Sequence, residues 1–145
     1  MATATQINPY KGRPPRSWIR VRLVHPNGAA VDADLLADTG NPFALVISEG
    51  TMARVKDGDA PDVRTNFGVL HGAWVHVAIP ELGLQQAIMG YASDAVSKAA
   101  KASDIDFEGL AGLPLLRLME YGGNADSFWL KRPRSPKKRR PASRG

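Results

Sequence analysis

The chain has 145 residues, 43% of them hydrophobic and 23% charged, which suits one globular core and is too short for two comfortable domains. It contains no cysteine, so disulfides, thiolate nucleophiles and cysteine-based zinc sites are excluded. The net charge of +5 comes from the C-terminal end. There, residues 131–145 hold eight of the 19 Lys and Arg residues and no acidic residue, so residues 1–130 carry 11 basic against 14 acidic residues.

The two ends of the chain differ from its middle. Residues 1–16 are polar and contain prolines, so we predict an arm that lies on the surface or extends from it. Residues 131–145 offer almost nothing to bury, so we predict a disordered basic tail. This tail either attracts nucleic acid or an acidic partner weakly, or only aids solubility. The folded domain is then expected to span residues 17–130.

Membrane insertion and secretion are not expected. No stretch approaches the roughly 18 apolar residues of a membrane span, and the N-terminus lacks the apolar core of a signal peptide. We therefore expect a cytoplasmic protein without membrane contact.

Most of the domain has the alternation of half-buried β-strands, in which successive side chains point to opposite faces. Strands are predicted at residues 17–25, 29–37, 43–47, 68–79, 85–92, 110–111 and 127–132. The first two are joined by the hairpin signal Pro26-Asn27-Gly28. Residues 48–65 are polar and are predicted as a loop with one helical turn.

Helical signals are short and lie in the second half of the chain. Residues 93–103 are rich in alanine and predict a surface helix. Another helix is expected from Pro114, because the first helical turn accepts proline, and Gly122-Gly123 is expected to end it. The sequence thus predicts an all-β domain with one short C-terminal helix.

The turn Asp38-Thr39-Gly40 lies between two apolar strands and occurs once in the chain. A carboxylate hemmed in by apolar residues is poorly solvated and suits general acid or base work. Two carboxylates that share one proton can manage the proton transfers of amide hydrolysis. One such turn supplies two carboxylates only by meeting the same turn of a second copy. The alternative is an Asx-type turn, in which Asp38 only accepts hydrogen bonds from its own backbone.

Two motifs carry a family resemblance. Leu-Leu-Ala-Asp-Thr-Gly at residues 35–40, followed by an apolar strand, and Gly-Leu-Ala-Gly-Leu-Pro at residues 109–114 resemble the retropepsin-like (retroviral-type) aspartic protease family. The resemblance covers residues 18–130. It implies a closed β-barrel or sandwich that acts as a homodimer without a cofactor. Asn41-Pro42-Phe43, where many members have small residues, is similar to the cellular and bacterial members.

The resemblance implies roles for individual residues. Asp38 would be catalytic, paired with Asp38 of a second copy and activating a water, with Thr39 and Gly40 as supports. Leu110-Ala111-Gly112 would thread beside this turn as the support called a psi loop. A hairpin flap, for which residues 65–74 are the candidate, would close over a peptide or unfolded protein. The implied substrate-binding residues are Phe43, Gly68, Val69, Leu70 and Gly72.

The function predicted from these features is that of an aspartic endopeptidase, and other interpretations stay open. Gly68 and Gly72 fit a simple hairpin or bulge equally well. The same fold can serve as a catalytically inactive dimerisation or peptide-binding module. A third interpretation makes the domain a scaffold for the basic tail, with nucleic acid as the partner. The three histidines lack metal-binding spacing, so no metal site is predicted.

Overall fold

The computed structural model describes residues 4–66, 68–101 and 107–133. Most of the predicted basic tail, residues 134–145, lies outside the described residues. The strands are β1 (Thr5–Pro9), β2 (Trp18–Val24), β3 (Ala30–Asp38), β4 (Leu45–Ile47), β5 (Asp59–Thr65), β6 (Gly68–Ile79), β7 (Leu84–Ala92), β8 (Gly109–Gly112), β9 (Glu120–Gly123) and β10 (Ser127–Lys131). The helices are α1 (Glu49–Val55), α2 (Asp94–Lys101) and α3 (Leu113–Leu116), with a 3-10 turn at Pro80–Leu82.

A closed barrel of six strands forms the centre of the molecule, which confirms the all-β prediction and the closed barrel. Its strands follow the order β2-β3-β8-β4-β7-β6, and β6 pairs with β2 to close the circle. β5 extends β6 outward as a hairpin. Two neighbouring pairs are parallel, β3 with β8 and β4 with β7. β8 therefore places residues 109–112, from late in the chain, beside the end of β3.

The barrel is filled by aliphatic side chains from the inward faces of its strands, including Ile19 on β2 and Leu35 on β3, both fully buried. Fully burying one such side chain contributes about 1.5–3 kcal/mol. On the outer face of the same two strands Arg20 lies opposite Asp34. A slip of one residue would exchange these faces, so the alternation fixes the register.

The N-terminal arm contributes a strand of its own. β1, β10 and β9 form a second, three-stranded sheet in that order. The buried side chain of Gln6 accepts a hydrogen bond from Arg20 N–H at 2.8 Å and donates one to Arg20 C=O at 2.9 Å. The side-chain amide of Gln6 thus forms the two hydrogen bonds that a neighbouring strand would form. It does so at a part of β2 that does not pair with β6. Lys131, predicted as the first tail residue, is the last residue of β10.

The predicted loop at residues 48–65 is wrong for most of its length, because this segment forms a helix and a strand. Besides the predicted short C-terminal helix, α3, the described residues form α1 and α2. Ser48 begins α1 by accepting a hydrogen bond from Thr51 N–H through its side chain, a typical N-cap. α1 occupies two turns of this segment, and residues 59–65 form β5. The predicted surface helix at residues 93–103 is confirmed by α2, as far as the described residues reach.

The helix after Gly112 is shorter than predicted. α3 ends at Leu116, and Gly122-Gly123 lie in β9 instead of terminating the helix. A Cβ atom on Gly122 would lie 2.5 Å from the ring of Trp129 on the paired strand β10. Glycine is needed here because the indole ring occupies the space of a side chain, and not because the chain turns.

Candidate active site

Asp38 is the last residue of β3 and lies beside Gly112, its register partner on the parallel strand β8. β8 runs between β3 and β4 and pairs with both strands. At its end, Gly112 N–H donates to Ala44 C=O and Leu113 N–H donates to Asn41 C=O, each at 3.0 Å. The segment Leu110-Ala111-Gly112 thus lies against both strands that flank the turn, the position that the family resemblance implied.

Two glycines of β8 allow this close threading. A Cβ atom on Gly112 would lie 1.8 Å from the carbonyl oxygen of Phe43, and one on Gly109 would lie 1.9 Å from that of Val46. Neither contact can be relieved by a side-chain rotation, because both partners are backbone atoms. The glycines therefore set how closely β8 approaches the Asp38 turn.

Backbone hydrogen bonds hold the turn after Asp38. Gly40 N–H donates to Asp38 Oδ1 at 3.1 Å, and Asn41 N–H donates to Asp38 C=O at 3.1 Å. Next along the chain, Phe43 N–H donates to Asn41 Oδ1 at 2.9 Å. The Asx-type bond considered in the sequence is therefore present. Asp38 is half-buried, whereas Thr39 and Gly40 are exposed.

A cleft of about 440 Å³ opens beside Asp38. Most of its lining is apolar and comes from four parts of the fold: Leu36 on β3, Phe43 and Val46 around β4, Leu70 on β6, and Leu110 on β8. Of the apolar residues that flank Asp38 in the sequence, Leu36 and Phe43 line this cleft. Leu35 and Leu45 instead belong to the barrel core.

The predicted flap is part of the β5–β6 hairpin, whose described end borders this cleft. Thr65 pairs with Gly68, which has a positive φ of 92°, and Phe67 between them lies outside the described residues. Thr65, Asn66 and Leu70 line the cleft. Gly68 and Val69 are exposed and are not part of the lining.

Gly72 has a structural role at the base of the hairpin, where β5 bulges between Ala60 and Val63. A Cβ atom on Gly72 would lie 2.2 Å from the carbonyl oxygen of Pro61. Gly72 N–H donates to Asp62 Oδ1 at 3.1 Å and, with a hydrogen bond from His71, lowers the pKa of Asp62. Gly72 thus lies at a β-bulge, which was one of the two interpretations of this glycine. It does not line the cleft, where a substrate-binding residue was expected.

The sequence did not predict that α2 forms one wall of the cleft. Val96 and Ala99 of α2 line it, and Val96 packs with Val46 and Leu70 of the barrel strands. Val96 and Ala99 are three residues apart and so lie on one face of the helix. That spacing was visible in the alanine-rich segment, but only the tertiary fold shows that this face turns toward Asp38.

The described residues hold no group of three or more His, Asp or Glu side chains that could bind a metal ion. His71 lies beside Asp62 at 3.2 Å, and His76 beside Asp57 at 2.7 Å. Both pairs are at the surface and outside the cleft. Among the described residues that line the cleft, Asp38 is the ionisable one, and Asn41, Thr65 and Asn66 add polar side chains.

No protein-family model, no curated protein and no solved structure matches this chain. Within the described part of the chain, no helix is long and apolar enough to cross a membrane.

Proposed function

We propose that the protein is an aspartic endopeptidase that acts as a homodimer, with one Asp38 from each copy. The observation that carries this proposal is the position of Asp38. It ends β3 beside the threaded strand β8 and lines a mostly apolar cleft that Thr65 and Asn66, at the end of the β5–β6 hairpin, also line. This arrangement agrees with the retropepsin-like resemblance of the two sequence motifs.

The need for a second copy follows from chemistry. The chain has one Asp-Thr-Gly turn, and hydrolysis of an amide needs both a base for water and an acid for the carbonyl oxygen. Two Asp38 carboxyl groups that share one proton meet both needs. The exposure of Thr39 and Gly40 in the single chain leaves this turn free to contact its symmetry mate.

In the proposed reaction, the ionised Asp38 takes a proton from water as the water oxygen attacks the peptide carbonyl carbon. The protonated Asp38 of the other copy gives its proton to the carbonyl oxygen. Collapse of the tetrahedral intermediate breaks the C–N bond as the first Asp38 gives the proton that it took from water to the leaving amine nitrogen. The second Asp38 takes a proton from a hydroxyl of the intermediate as the carbonyl forms again, which restores the singly protonated pair. Because only the singly protonated pair works, activity should be highest at acidic to mildly acidic pH.

The lining of the cleft supports a peptide substrate with apolar side chains around the bond that is cleaved. Leu36, Phe43, Val46, Leu70 and Leu110 offer apolar contact, and Asp38 is the charged residue among the lining residues. An extended segment can bind by strand-like backbone pairing with side chains in alternate pockets. Unfolded proteins and loops present such segments.

The test is cleavage of a peptide library from a digested proteome, between pH 4 and 8, by the wild type and Asp38→Asn, with new termini read by mass spectrometry. Asp32→Asn is a matched control, because Asp32 lies on the same strand but is exposed and pairs with Arg22. Cleavage by wild type and Asp32→Asn that is lost in Asp38→Asn supports the proposal. No cleavage by a folded wild-type dimer would favour the inactive peptide-binding module.

A further inference from the structure

The strand β7 has an open edge along most of its length. On one side it pairs with β6 from Leu84 to Ala92. On the other side it pairs with β4 only at Tyr91 and Ala92. In the described chain no strand pairs with residues 84–90 on that side. An open strand edge presents backbone N–H and C=O groups at alternate residues, which can accept another strand.

A groove of about 390 Å³ lies along this edge. Four consecutive residues of β7, Gln86 to Met89, line it. Successive side chains of a strand point to opposite faces, so four in a row border the same groove only if the backbone edge itself faces it. The groove is therefore shaped by the strand edge and not by one face of the sheet.

The groove also has an aromatic side chain beside the open edge. Trp74 on β6 lies opposite Met89 on β7, so the two side chains are neighbours on one face. Trp74 is 43% exposed, so a large apolar residue lies at the surface beside the groove. Pro114 and Leu118 also line the groove, and none of the described residues that line it is charged.

The groove and the Asp38 cleft share a wall. Pro42 and Phe43 line both of them, and the Phe43 ring packs edge-on against Tyr91 with ring centroids 4.9 Å apart. An extended peptide that leaves the cleft past Phe43 would reach the open edge of β7. The groove and the cleft are therefore adjacent, which favours the substrate itself, and not an unrelated protein, as the occupant.

We propose that this groove binds the distal part of the substrate, several residues from the bond that is cleaved. The peptide pairs with the open edge of β7 as an added strand and places a bulky apolar side chain against Trp74. The substrate class is therefore a long, extended, uncharged peptide segment with a second apolar anchor. This inference rests on the proposed peptidase function for its assignment to substrate, whereas the binding itself does not require hydrolysis.

The experiment measures binding in the Asp38→Asn protein, so that cleavage does not interfere. The probe is a fluorescein-labelled twelve-residue peptide in which leucine and threonine alternate, compared with its six-residue half and with a twelve-residue version N-methylated at alternate residues. Binding is followed by fluorescence anisotropy. Trp74→Ser and Met89→Gln alter the groove. Ile7→Ser is the matched control, because Ile7 is 65% exposed on β1, in the other sheet.

We expect Trp74→Ser to weaken binding of the twelve-residue peptide by about tenfold or more, as loss of a buried aromatic anchor does. Met89→Gln should weaken it less, and Ile7→Ser should leave it unchanged. The six-residue peptide should bind more weakly and be insensitive to Trp74→Ser. N-methylation should weaken binding, because it removes donors needed for strand pairing.

Equal affinity of the parent and Trp74→Ser for the twelve-residue peptide, or no effect of N-methylation, would overturn the proposal. So would dissociation of the dimer by Trp74→Ser, because the occupant would then be a second copy. Circular dichroism and melting of each variant separate these results from loss of folding, and Met89→Gln repeats the test if Trp74→Ser does not fold. Groove binding without any wild-type cleavage would refute the peptidase function alone, and cleavage without groove binding would refute this inference alone.

Discussion

Asp34 and Asp38 lie on the same strand, β3, in opposite surroundings. Asp34 Oδ1 accepts from Arg20 Nε at 2.7 Å, and its Oδ2 lies 3.3 Å from Lys11 Nζ. Burial alone would raise the pKa of Asp34, but the hydrogen bonds and charges of Arg20 and Lys11 outweigh burial and lower it. Asp38 instead accepts from Gly40 N–H, and in the described part of the chain no Lys, Arg or His forms an ion pair with it.

The difference separates a carboxylate held by two cations from one that has no cation beside it in the described part of the chain. Cations beside a carboxylate favour its ionised form, so Asp34 suits a structural ion pair. Under the proposed function, Asp38 would share a proton with a second Asp38 instead. The contrast depends on position, because Asp34 lies opposite Arg20 in the hairpin, whereas Asp38 lies beyond the hairpin's last pair, Trp18 with Leu36.

The largest expected effect is on peptide cleavage, when each of the two aspartates is replaced by asparagine in a separate variant. Asp38→Asn should lower peptide cleavage by at least about 10²–10⁴-fold, because an amide can neither accept nor donate the proton. Asp34→Asn should keep cleavage within about threefold and lower thermal stability instead. Initial rates and melting temperatures of both variants check this. Equal losses of activity would show that the two carboxylates are not separated by role.

The close packing of β8 beside Asp38 can be disrupted by a substitution that leaves every carboxylate unchanged. Gly112→Ala should destabilise the fold by about 1–3 kcal/mol or more, because its Cβ would meet the backbone at Phe43. Gly50→Ala is the matched control, since nothing lies within 4 Å of a Cβ there and it lies in α1. Alanine in a helix should leave stability unchanged or raise it by about 0.5–1 kcal/mol. Urea unfolding measures both, and a stable Gly112→Ala protein would contradict the close threading.

The pH dependence of stability should follow Asp34. Its folded pKa is lowered, so its contribution is complete above its unfolded pKa of about 3.9 and is lost as the pH falls through the folded value. At pH 7 the free energy of unfolding of the wild type should exceed that of Asp34→Asn by about 1 kcal/mol. The difference is this small because the site is partly exposed and solvent screens the ion pair. The difference should shrink below pH 4. Melting of both proteins from pH 7 to pH 3 checks this, and a constant difference would contradict the ion-pair account.

The smallest effect is expected at the arm. Lys11→Met removes one cation from Asp34 but keeps an apolar stem against the ring of Trp18, over which Lys11 Nζ lies at 3.5 Å. Stability should fall by less than about 1 kcal/mol. The pKa of Asp34, followed by NMR titration, should move upward toward its ordinary value. An unchanged pKa would show that Arg20 alone holds this carboxylate.

The hairpin that delivers Asp38 could be predicted from the sequence, because alternation and a turn signal act locally. The position of residues 110–112 beside Asp38 was reached through the family resemblance, and β8 bears out that placement. β5 was missed because an exposed edge strand that contains Pro61 has the composition of a loop. Gly122 was misread because the reason for glycine, the ring of Trp129, lies on another strand.

The site was predicted less completely than the fold. Asp38, Phe43 and Leu70 come together at one cleft, as expected. The α2 wall and the open edge of β7 could not be predicted, because both depend on which strands become neighbours. Tertiary pairing decides these features, and a single sequence records it only weakly.

The central claim, that one Asp38 from each of two copies forms the catalytic pair, is tested most directly by mixing subunits. Wild type and Asp38→Asn are unfolded together, refolded at equal amounts, and assayed on a peptide that the wild type cleaves. If both carboxylates are needed, random pairing leaves only the wild-type homodimers active. The mixture then has about a quarter of the activity of wild type refolded alone at the same total protein concentration. If one Asp38 suffices, about half or more of the activity remains, and the account of a shared pair is contradicted.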